Sequence, residues 1–372
     1  MLCLNKQFYL VLFTHKLVLS GRTGAMELIE EVRQAIRIAF TYIGTVVGAG
    51  FASGQEIFRF FVVFGYYGFW GILLSILLFS WLGTRMMVIS AKLKATSYEV
   101  LNDYLFGQRF GRWMSLFVGI VLFGVITAML SGTGAIVKEQ FGYSFHLGVI
   151  ITSILAFFVI IRGMEGILSI NSLVVPFMLG FVVLVAINSF WLSNASELHY
   201  FISVSNQNWL ISALTYVAFN LAMSQAVLVP LGAEIKNEKI LRMGGWMGGL
   251  GLGLMLLISY FAMQLYFLDI KQLEIPMAFV IHKLGVIFKI LFLAVMWGEI
   301  FTTLIGNIYG LAVNIQQVLS WRLSVIVALI FLTAYLCSLV GFPTLISYLY
   351  PAFGYCGLMV ILLLAVRKIP QV

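Results

Sequence analysis

The sequence predicts an all-α polytopic membrane protein with about ten transmembrane helices, arranged as two inverted repeats of five. Three observations lead to this prediction. The chain has 372 residues, of which 62% are hydrophobic and only 10% are charged, and this composition excludes a soluble globular domain. The apolar residues fall into segments long enough to cross a bilayer. A short sequence in the first segment recurs in the sixth.

The apolar segments each have roughly the 20 residues that a spanning helix needs. They run approximately over residues 35–64, 68–91, 112–137, 146–162, 167–191, 209–232, 243–267, 284–313, 322–339 and 344–366. Residues 97–106 predict a short interfacial helix capped by Ser97. Residues 1–33 are expected to be a cytoplasmic leader. We interpret residues 1–25 as an upstream extension before a natural start at Met26, with a peripheral amphipathic leader as the alternative.

Basic residues orient the chain, because cytoplasmic loops carry an excess of Lys and Arg. One set of loops holds most of them: Arg33, Arg37, Arg85, Lys92, Lys94, Arg109, Arg112, Arg162, Lys236, Lys239, Arg242, Arg322, Arg367 and Lys368. The opposite loops hold little beyond Lys138, Lys271 and Lys283. This asymmetry predicts that both termini are cytoplasmic, and it explains the net charge of +8 without a nucleic-acid partner. Neither the cysteines nor the histidines have the spacing of a metal site.

The internal repeat consists of Ala-Phe-Thr-Tyr-Ile at residues 39–43 and Ala-Leu-Thr-Tyr-Val at residues 213–217. The two copies lie five segments apart, in the first and the sixth, so the repeats would cross the membrane in opposite directions. We therefore predict a first five-helix repeat over residues 34–191 and a second, inverted one over residues 209–367.

The first segment predicts a helix broken near the middle of the bilayer. Four glycines, Gly44, Gly48, Gly50 and Gly54, fall within eleven residues, and each weakens a helix by roughly 1 kcal/mol relative to Ala. Broken helices of this kind bind substrate and coupling ions in secondary transporters. The alternative is an unbroken helix whose glycines let a neighbouring helix approach closely.

The sixth segment also predicts a break. Asn220, Ser224 and Gln225 are polar side chains at a depth where they are costly, and Pro230 removes a backbone donor. These side chains are expected to line a site. The alternative is a kinked helix whose polar side chains bond to neighbouring helices.

The eighth segment carries one polar, small-residue face, formed at helical spacing by Glu299, Thr302, Thr303, Gly306, Asn307 and Gly310. Glu299 lies near the middle of the bilayer, where an ionisable residue indicates function. The alternatives are a protonated structural carboxyl and threonines that bond back to their own helix. Glu56 and Arg59 are three residues apart and are candidates for an outer gate, unless Arg59 extends to the interface.

Three stretches together resemble the YkvI-type bacterial membrane proteins, a family similar to the LeuT-fold amino acid–polyamine–organocation transporters. They are the Gly-rich break, Tyr-Val-Ala-Phe-Asn at residues 216–220 and Glu-Ile-Phe-Thr-Thr-Leu-Ile-Gly-Asn at residues 299–307. The resemblance covers the chain from about Arg33 to Lys368 and implies a location in the bacterial plasma membrane.

The resemblance implies a sodium site between the first and eighth helices. Its ligands would be the carbonyls of Gly44 and Val47 and the hydroxyls of Thr302 and Thr303. Sodium-independent relatives often place a lysine of the fifth helix in this space, whereas the fifth segment here has Asn171, Ser172 and Pro176. A second sodium site known in some LeuT-fold members is not expected, because Phe51 replaces the required Asn.

The substrate would be held by the two predicted breaks and the eighth helix. The residues implied are Gly48, Gly50, Phe51, Ser53, Asn220, Ser224, Gln225 and Glu299, with Phe51, Phe219 and Trp297 closing over the ligand. A zwitterionic amino acid fits this arrangement, and a small organic cation fits Glu299 equally well.

These observations predict a secondary transporter in the lipid bilayer that uses sodium to drive uptake of a small solute, and no cofactor besides that ion. Proton coupling through Glu299 or Glu56 is an alternative. A membrane sensor that binds a solute without moving it is another. An intramembrane enzyme is not expected, because the sequence holds no nucleophile–base pair or nucleotide-binding motif at membrane depth.

Overall fold

The computed structural model describes residues 26–192, 208–271, 276–282, 285–339, 354 and 357–370. Their regular secondary structure is entirely helical. Residues 1–25 and 344–353, which were assigned to the leader and to the first part of the tenth segment, lie outside these described residues.

The first segment forms a helix that is interrupted twice. Helix α1 spans residues 26–46, so the end of the predicted leader is part of this helix. It is followed by α2 (Ala49–Ala52), α3 (Gln55–Phe60) and a 3₁₀ turn at Val62–Phe64. Helices α4 (Tyr66–Leu78) and α5 (Thr84–Leu93) continue one another through a π-helical segment, Phe79–Gly83.

Most of the remaining helices follow the predicted segments to within about six residues, whereas the short helices α12 and α13 lie between the seventh and eighth predicted segments. The remaining helices are α6 (Tyr98–Phe106), α7 (Gln108–Phe141), α8 (Phe145–Ile160), α9 (Gly163–Leu192), α10 (Trp209–Glu234), α11 (Glu238–Gln264), α12 (Phe267–Ile270), α13 (Pro276–His282), α14 (Val286–Leu319), α15 (Leu323–Ser338) and α16 (Gly357–Val366). Among the described residues, six helices are long and apolar enough to cross a membrane, and three more are apolar but shorter.

Helix α6 occupies the position predicted for the interfacial helix, and Ser97 precedes it with extended backbone angles. The Ser97 hydroxyl does not cap this helix. Instead it donates a hydrogen bond of 2.8 Å to Oε1 of Gln317, near the end of α14. A contact between elements 220 residues apart thus replaces the local cap.

Glycines of α11 bring this helix into close contact with α1 and with the α4–α5 rod, the continuous helix that α4, the π-helical segment and α5 form together. A Cβ added to Gly248 would lie 2.7 Å from Cδ1 of Tyr42, and one added to Gly244 would lie 2.7 Å from Cβ of Ile38. On the neighbouring face, Gly249 packs directly on the backbone of Ser80. Small residues at these contacts let helices pack at short range in a membrane.

Helix α10 is continuous from Trp209 to Glu234, so the structure does not show the break predicted in the sixth segment. Its polar residues bond within the helix: Asn220 donates to the carbonyl of Tyr216, and Ser224 donates to that of Leu221. Pro230 leaves the carbonyl of Ala226 without an in-helix donor. Gly310 of α14 packs directly against Ala226, including this carbonyl.

Ion pairs connect several helices at the end of the molecule where α1 begins. Arg37 pairs with Glu165 of α9. Lys239 of α11 lies 2.7 Å from Glu31 of α1, and Lys92 of α5 lies 3.3 Å from Glu238. These contacts hold α1, α5, α9 and α11 together at one membrane face.

Candidate functional site

The first segment is interrupted twice, and the two interruptions isolate α2 as a single turn. Residues 47 and 48 are not helical. At the second interruption, Gly54 has φ of 80°, a left-handed angle that glycine adopts without steric cost. The carbonyl of Ser53 then accepts a hydrogen bond of 3.1 Å from the amide of Met277 in α13. The freed backbone is therefore buried against protein rather than lipid.

Helix α14 covers the first interruption with its polar face. The Thr303 hydroxyl donates a hydrogen bond of 2.8 Å to the carbonyl of Val47. A Cβ on Gly48 would lie 3.4 Å from the same hydroxyl oxygen, so little space separates the two segments. The Thr302 hydroxyl donates to the carbonyl of Glu299, 3.0 Å away in its own helix. Of the residues expected to hold sodium, Val47 and Thr303 are thus in direct contact.

Gly44 lies one turn before this contact, on the side of α1 that faces α9. Asn171 of α9 packs directly against it. Carbonyl, hydroxyl and amide oxygens are therefore present around the end of α1, and such oxygens are the ligands that hard cations prefer.

Glu56 turns back toward the interruption, and its carboxyl lies where a Cβ on Gly50 would be. Its side chain is buried, with 4% of its surface exposed, whereas Arg59 is exposed. Ser53, also buried, donates to the carbonyl of Gly50 over 3.1 Å. The structure therefore places Glu56 beside the predicted substrate residues and directs Arg59 outward.

Glu299 is 2% exposed, and its Oε2 has no hydrogen-bond partner among the described residues. It borders a cavity of about 20 Å³ between α2, α9, α11, α13 and α14. The walls are mainly aromatic, aliphatic and thioether groups: Phe51, Ala52, Phe181, Val182, Val185, Ala262, Met277, Phe292, Val295 and Met296, with Ser259 as a further polar group.

The other predicted substrate residues have different surroundings. Asn220 and Ser224 bond to carbonyls of their own helix. Gln225 is fully buried, and neither of its polar atoms is bonded to any described residue. Trp297 donates to the Thr152 hydroxyl of α8 over 3.2 Å, and its ring stacks on that of Phe301 with centroids 5.0 Å apart.

A comparison with curated proteins identifies the family. The chain is 41% identical over 337 residues to the membrane protein YkvI of Bacillus subtilis (strain 168), which covers 91% of this chain and 97% of that protein. The chain belongs to the YkvI family. It is also 26% identical over 341 residues to YyaD of the same organism, covering 91% of this chain and 98% of YyaD. A scan against protein-family models finds no match.

The fold of this YkvI-family chain is that of the LeuT-type transporters. MhsT in complex with L-phenylalanine superimposes with a TM-score of 0.65 at 16% identity, over 88% of this chain and 86% of MhsT. A Na⁺-coupled sialic acid symporter in a substrate-bound outward-open state gives 0.64 at 13% identity, over 86% and 75%. Mhp1, a nucleobase-cation-symport-1 family transporter in a closed conformation with bromovinylhydantoin bound, gives 0.58 at 14%, over 81% and 70%.

Sequence reasoning missed two residues that this YkvI-family structure brings to the interrupted segment, Ser259 and Met277. It named Asn171 only as one of the residues that stand in the fifth segment in place of a lysine, and the polarity of this residue was the signal available for placing it in the site. Ser259 and Met277 come from α11 and α13, and nothing in their local sequence distinguishes them from packing residues.

Proposed function

We propose that this chain is a secondary transporter of the bacterial plasma membrane that couples sodium to the uptake of a small solute by alternating access, with both termini cytoplasmic. The observation that carries the proposal is the contact between the Val47 carbonyl and the Thr303 hydroxyl. It joins an interrupted helix to a second helix through oxygen atoms, at a depth where irregular backbone is tolerated only inside protein or along a cavity.

A cation at this position would replace the hydrogen bond between the two oxygens, and the Thr303 hydroxyl would keep its proton and rotate it away from the Val47 carbonyl. Both oxygens would then turn toward the ion, with the Thr302 hydroxyl and the Gly44 carbonyl as further ligands. Binding would hold α1 and α14 together and weaken when they separate. A difference in ion affinity between the two conformations is what coupling requires.

The solute proposed is a small molecule with a protonated amine and an apolar body, such as an amino acid. Glu299 supplies a buried carboxyl, and Phe51, Phe181 and Phe292 supply aromatic surface beside it. A carboxylate and aromatic faces both attract a cation in a desolvated site. L-phenylalanine, the ligand in the MhsT complex, is a solute of this class.

The test of the ion is thermal stability of the purified protein in sodium, potassium and choline chloride at equal ionic strength. A ligand that binds only the folded state stabilises it by about 2.7 kcal/mol at a hundredfold excess over its dissociation constant. We expect stabilisation in sodium that Thr303→Ala abolishes. Thr333→Ala is the matched control, because Thr333 is an exposed threonine of α15 that bonds to its own helix. Equal melting temperatures in the three salts would refute sodium coupling.

The test of transport is uptake of radiolabelled amino acids into proteoliposomes with a sodium gradient directed inward. We expect accumulation that disappears when the gradient is removed. Saturable binding without flux would favour the solute sensor instead.

Proton coupling is the second candidate, and the buried carboxyl of Glu299, whose Oε2 has no hydrogen-bond partner among the described residues, favours it. In that case Glu299→Gln would abolish uptake driven by a pH gradient while exchange of solute across the membrane continues. Uptake by Glu299→Gln that keeps the wild-type response to pH would exclude this role.

A further inference from the structure

Asn171 of α9 lies against Gly44, close to the end of α1. A Cβ added to Gly44 would lie 3.0 Å from Cγ of Asn171 and even closer to its Oδ1. The amide oxygen therefore rests against the α1 backbone, one turn before the Val47 carbonyl that Thr303 contacts. Only glycine at position 44 leaves room for it.

The orientation of this amide is determined by its own helix. Nδ2 of Asn171 donates a hydrogen bond of 2.8 Å to the carbonyl of Ile167. Because a carbonyl accepts only from the amide nitrogen, the oxygen must point the other way, toward Gly44. Asn171 is fully buried, and Oδ1 has no hydrogen-bond partner among the described residues. A buried acceptor left unbonded is costly, by about 1–3 kcal/mol.

The register of α9 against α14 brings Thr302 to the level of Asn171. The rings of Phe181 and Phe292 stack with centroids 6.1 Å apart. Further along, a Cβ on Gly298 would lie 2.9 Å from Cγ1 of Val174. From the first contact to the second, the residue number increases in α14 from 292 to 298 and decreases in α9 from 181 to 174. The two helices are therefore antiparallel.

One turn beyond the Gly298–Val174 contact, Thr302 of α14 reaches the level of Asn171 of α9. Residues three or four apart lie on the same helix face, so Thr302 follows Gly298 and Asn171 precedes Val174 on the two facing surfaces. The amide oxygen of Asn171 therefore shares its level with a hydroxyl of α14 and with the end of α1.

We propose that the amide oxygen of Asn171 is a ligand of the cation site, so that the site is built from three helices, α1, α9 and α14. The inference rests on the proposed function, because it adds a residue to the site of the coupling ion. Asn171 contributes an oxygen without a charge, which suits a monovalent hard cation. It also gives a binding role to Oδ1 of Asn171, whose direction is determined by the hydrogen bond of Nδ2 and which has no hydrogen-bond partner among the described residues.

This ligand would connect ion occupancy to the position of α9. The Arg37–Glu165 ion pair already joins α1 to the beginning of α9. With the ion bound, a contact through the ion near the middle of the membrane would add to this ion pair and to the packing of Asn171 against Gly44. Loss of the ion would remove that contact and leave only the ion pair and the packing between α1 and α9.

The experiment is a sodium titration of the melting temperature, with choline chloride keeping the ionic strength constant and potassium chloride as a parallel series. The proteins are wild type, Asn171→Ala, Asn171→Asp, Thr303→Ala and Ser172→Ala. Ser172 is the matched control, because it is the neighbouring polar residue and bonds to the carbonyl of Leu168 in its own helix. The readout is the sodium concentration that gives half of the maximal stabilisation.

We expect Asn171→Ala to raise this concentration about tenfold or more, and Ser172→Ala to leave it unchanged. Asn171→Asp should lower it, because a carboxylate binds the cation more strongly than a neutral amide oxygen. If Asn171→Ala does not fold, Asn171→Asp decides, since it keeps the size and the oxygen.

The outcomes separate the two proposals. If Thr303→Ala loses the sodium response while both Asn171 variants keep the wild-type midpoint, the role of Asn171 is overturned and sodium coupling stands. If wild type shows no sodium response, both are overturned. A midpoint that moves in opposite directions in the two Asn171 variants supports the three-helix site.

Discussion

The hydroxyl of Tyr42 donates a hydrogen bond of 2.9 Å to the carbonyl of Phe79, the first residue of the π-helical segment. The ring of Tyr216 meets the ring of Phe79 edge-on, with centroids 5.9 Å apart. Tyr42 and Tyr216 are the tyrosines of the repeated five-residue sequence. The two tyrosines therefore contact one residue, and this residue connects α1 and α10 to the α4–α5 rod.

We predict that Tyr42→Phe lowers stability by about 1 kcal/mol, because the carbonyl of Phe79 loses a buried hydrogen bond while the ring still packs. The measurement is the melting temperature in detergent. Tyr143→Phe, at an exposed tyrosine, should leave it unchanged. Equal melting temperatures for wild type and Tyr42→Phe would show that the bond contributes nothing.

A methyl group at Gly310 should destabilise the protein strongly. The added Cβ would overlap Ala226 of α10, including backbone atoms that cannot move aside. We expect Gly310→Ala to cost about 1–3 kcal/mol, the range for overpacking a tight contact. Gly180→Ala is the matched control, because nothing lies within 4 Å of its added Cβ and alanine favours helix by about 1 kcal/mol. A Gly310 variant as stable as the Gly180 variant would contradict this packing.

At Gly50, we predict a defect in transport that exceeds any defect in stability. Its added methyl would displace the carboxyl of Glu56 from the interrupted segment. Gly50→Ala should reduce solute uptake at least severalfold in proteoliposomes that contain equal amounts of folded protein. Uptake equal to that of Gly180→Ala would show that the position of this carboxyl is immaterial.

The ion pair between Arg37 and Glu165 should be measurable as a coupling energy. For an exposed pair we expect about 0.2–1 kcal/mol from a double-mutant cycle with Arg37→Ala and Glu165→Ala, decreasing at high salt. If the pair also keeps this face closed, either single variant changes the uptake rate, and the charge-reversed double variant, Arg37→Glu with Glu165→Arg, restores it. Strictly additive effects would rule out a direct interaction.

The sequence was sufficient to predict the helical fold and most helix positions, because hydropathy is a local property of the chain. It also indicated where α1 ends, since four glycines in one segment have a direct effect on helix stability. The Val47–Thr303 contact was expected only through the resemblance, because the two residues are 256 positions apart. The assignment of that contact to sodium is still a prediction.

Two differences between expectation and structure occur where an element contacts a distant one. Helix α10 is continuous at Pro230, and Gly310 of α14 packs on the freed carbonyl of Ala226. The Ser97 hydroxyl bonds to Gln317 rather than capping α6. In both places the structure has a contact with an element that is distant in the sequence. Such contacts cannot be predicted from the residues of a single segment.

The small cavity beside Glu299 has a consequence for the volume of the protein during transport. At about 20 Å³ it has room for one water molecule, so a solute of amino-acid size cannot enter until the surrounding helices separate. Opening must therefore enlarge the protein interior. The effect of hydrostatic pressure on the uptake rate would give the sign of the volume change on opening. Slower uptake under pressure would mean that the system of protein and water expands when the helices separate, and faster uptake would mean that it contracts.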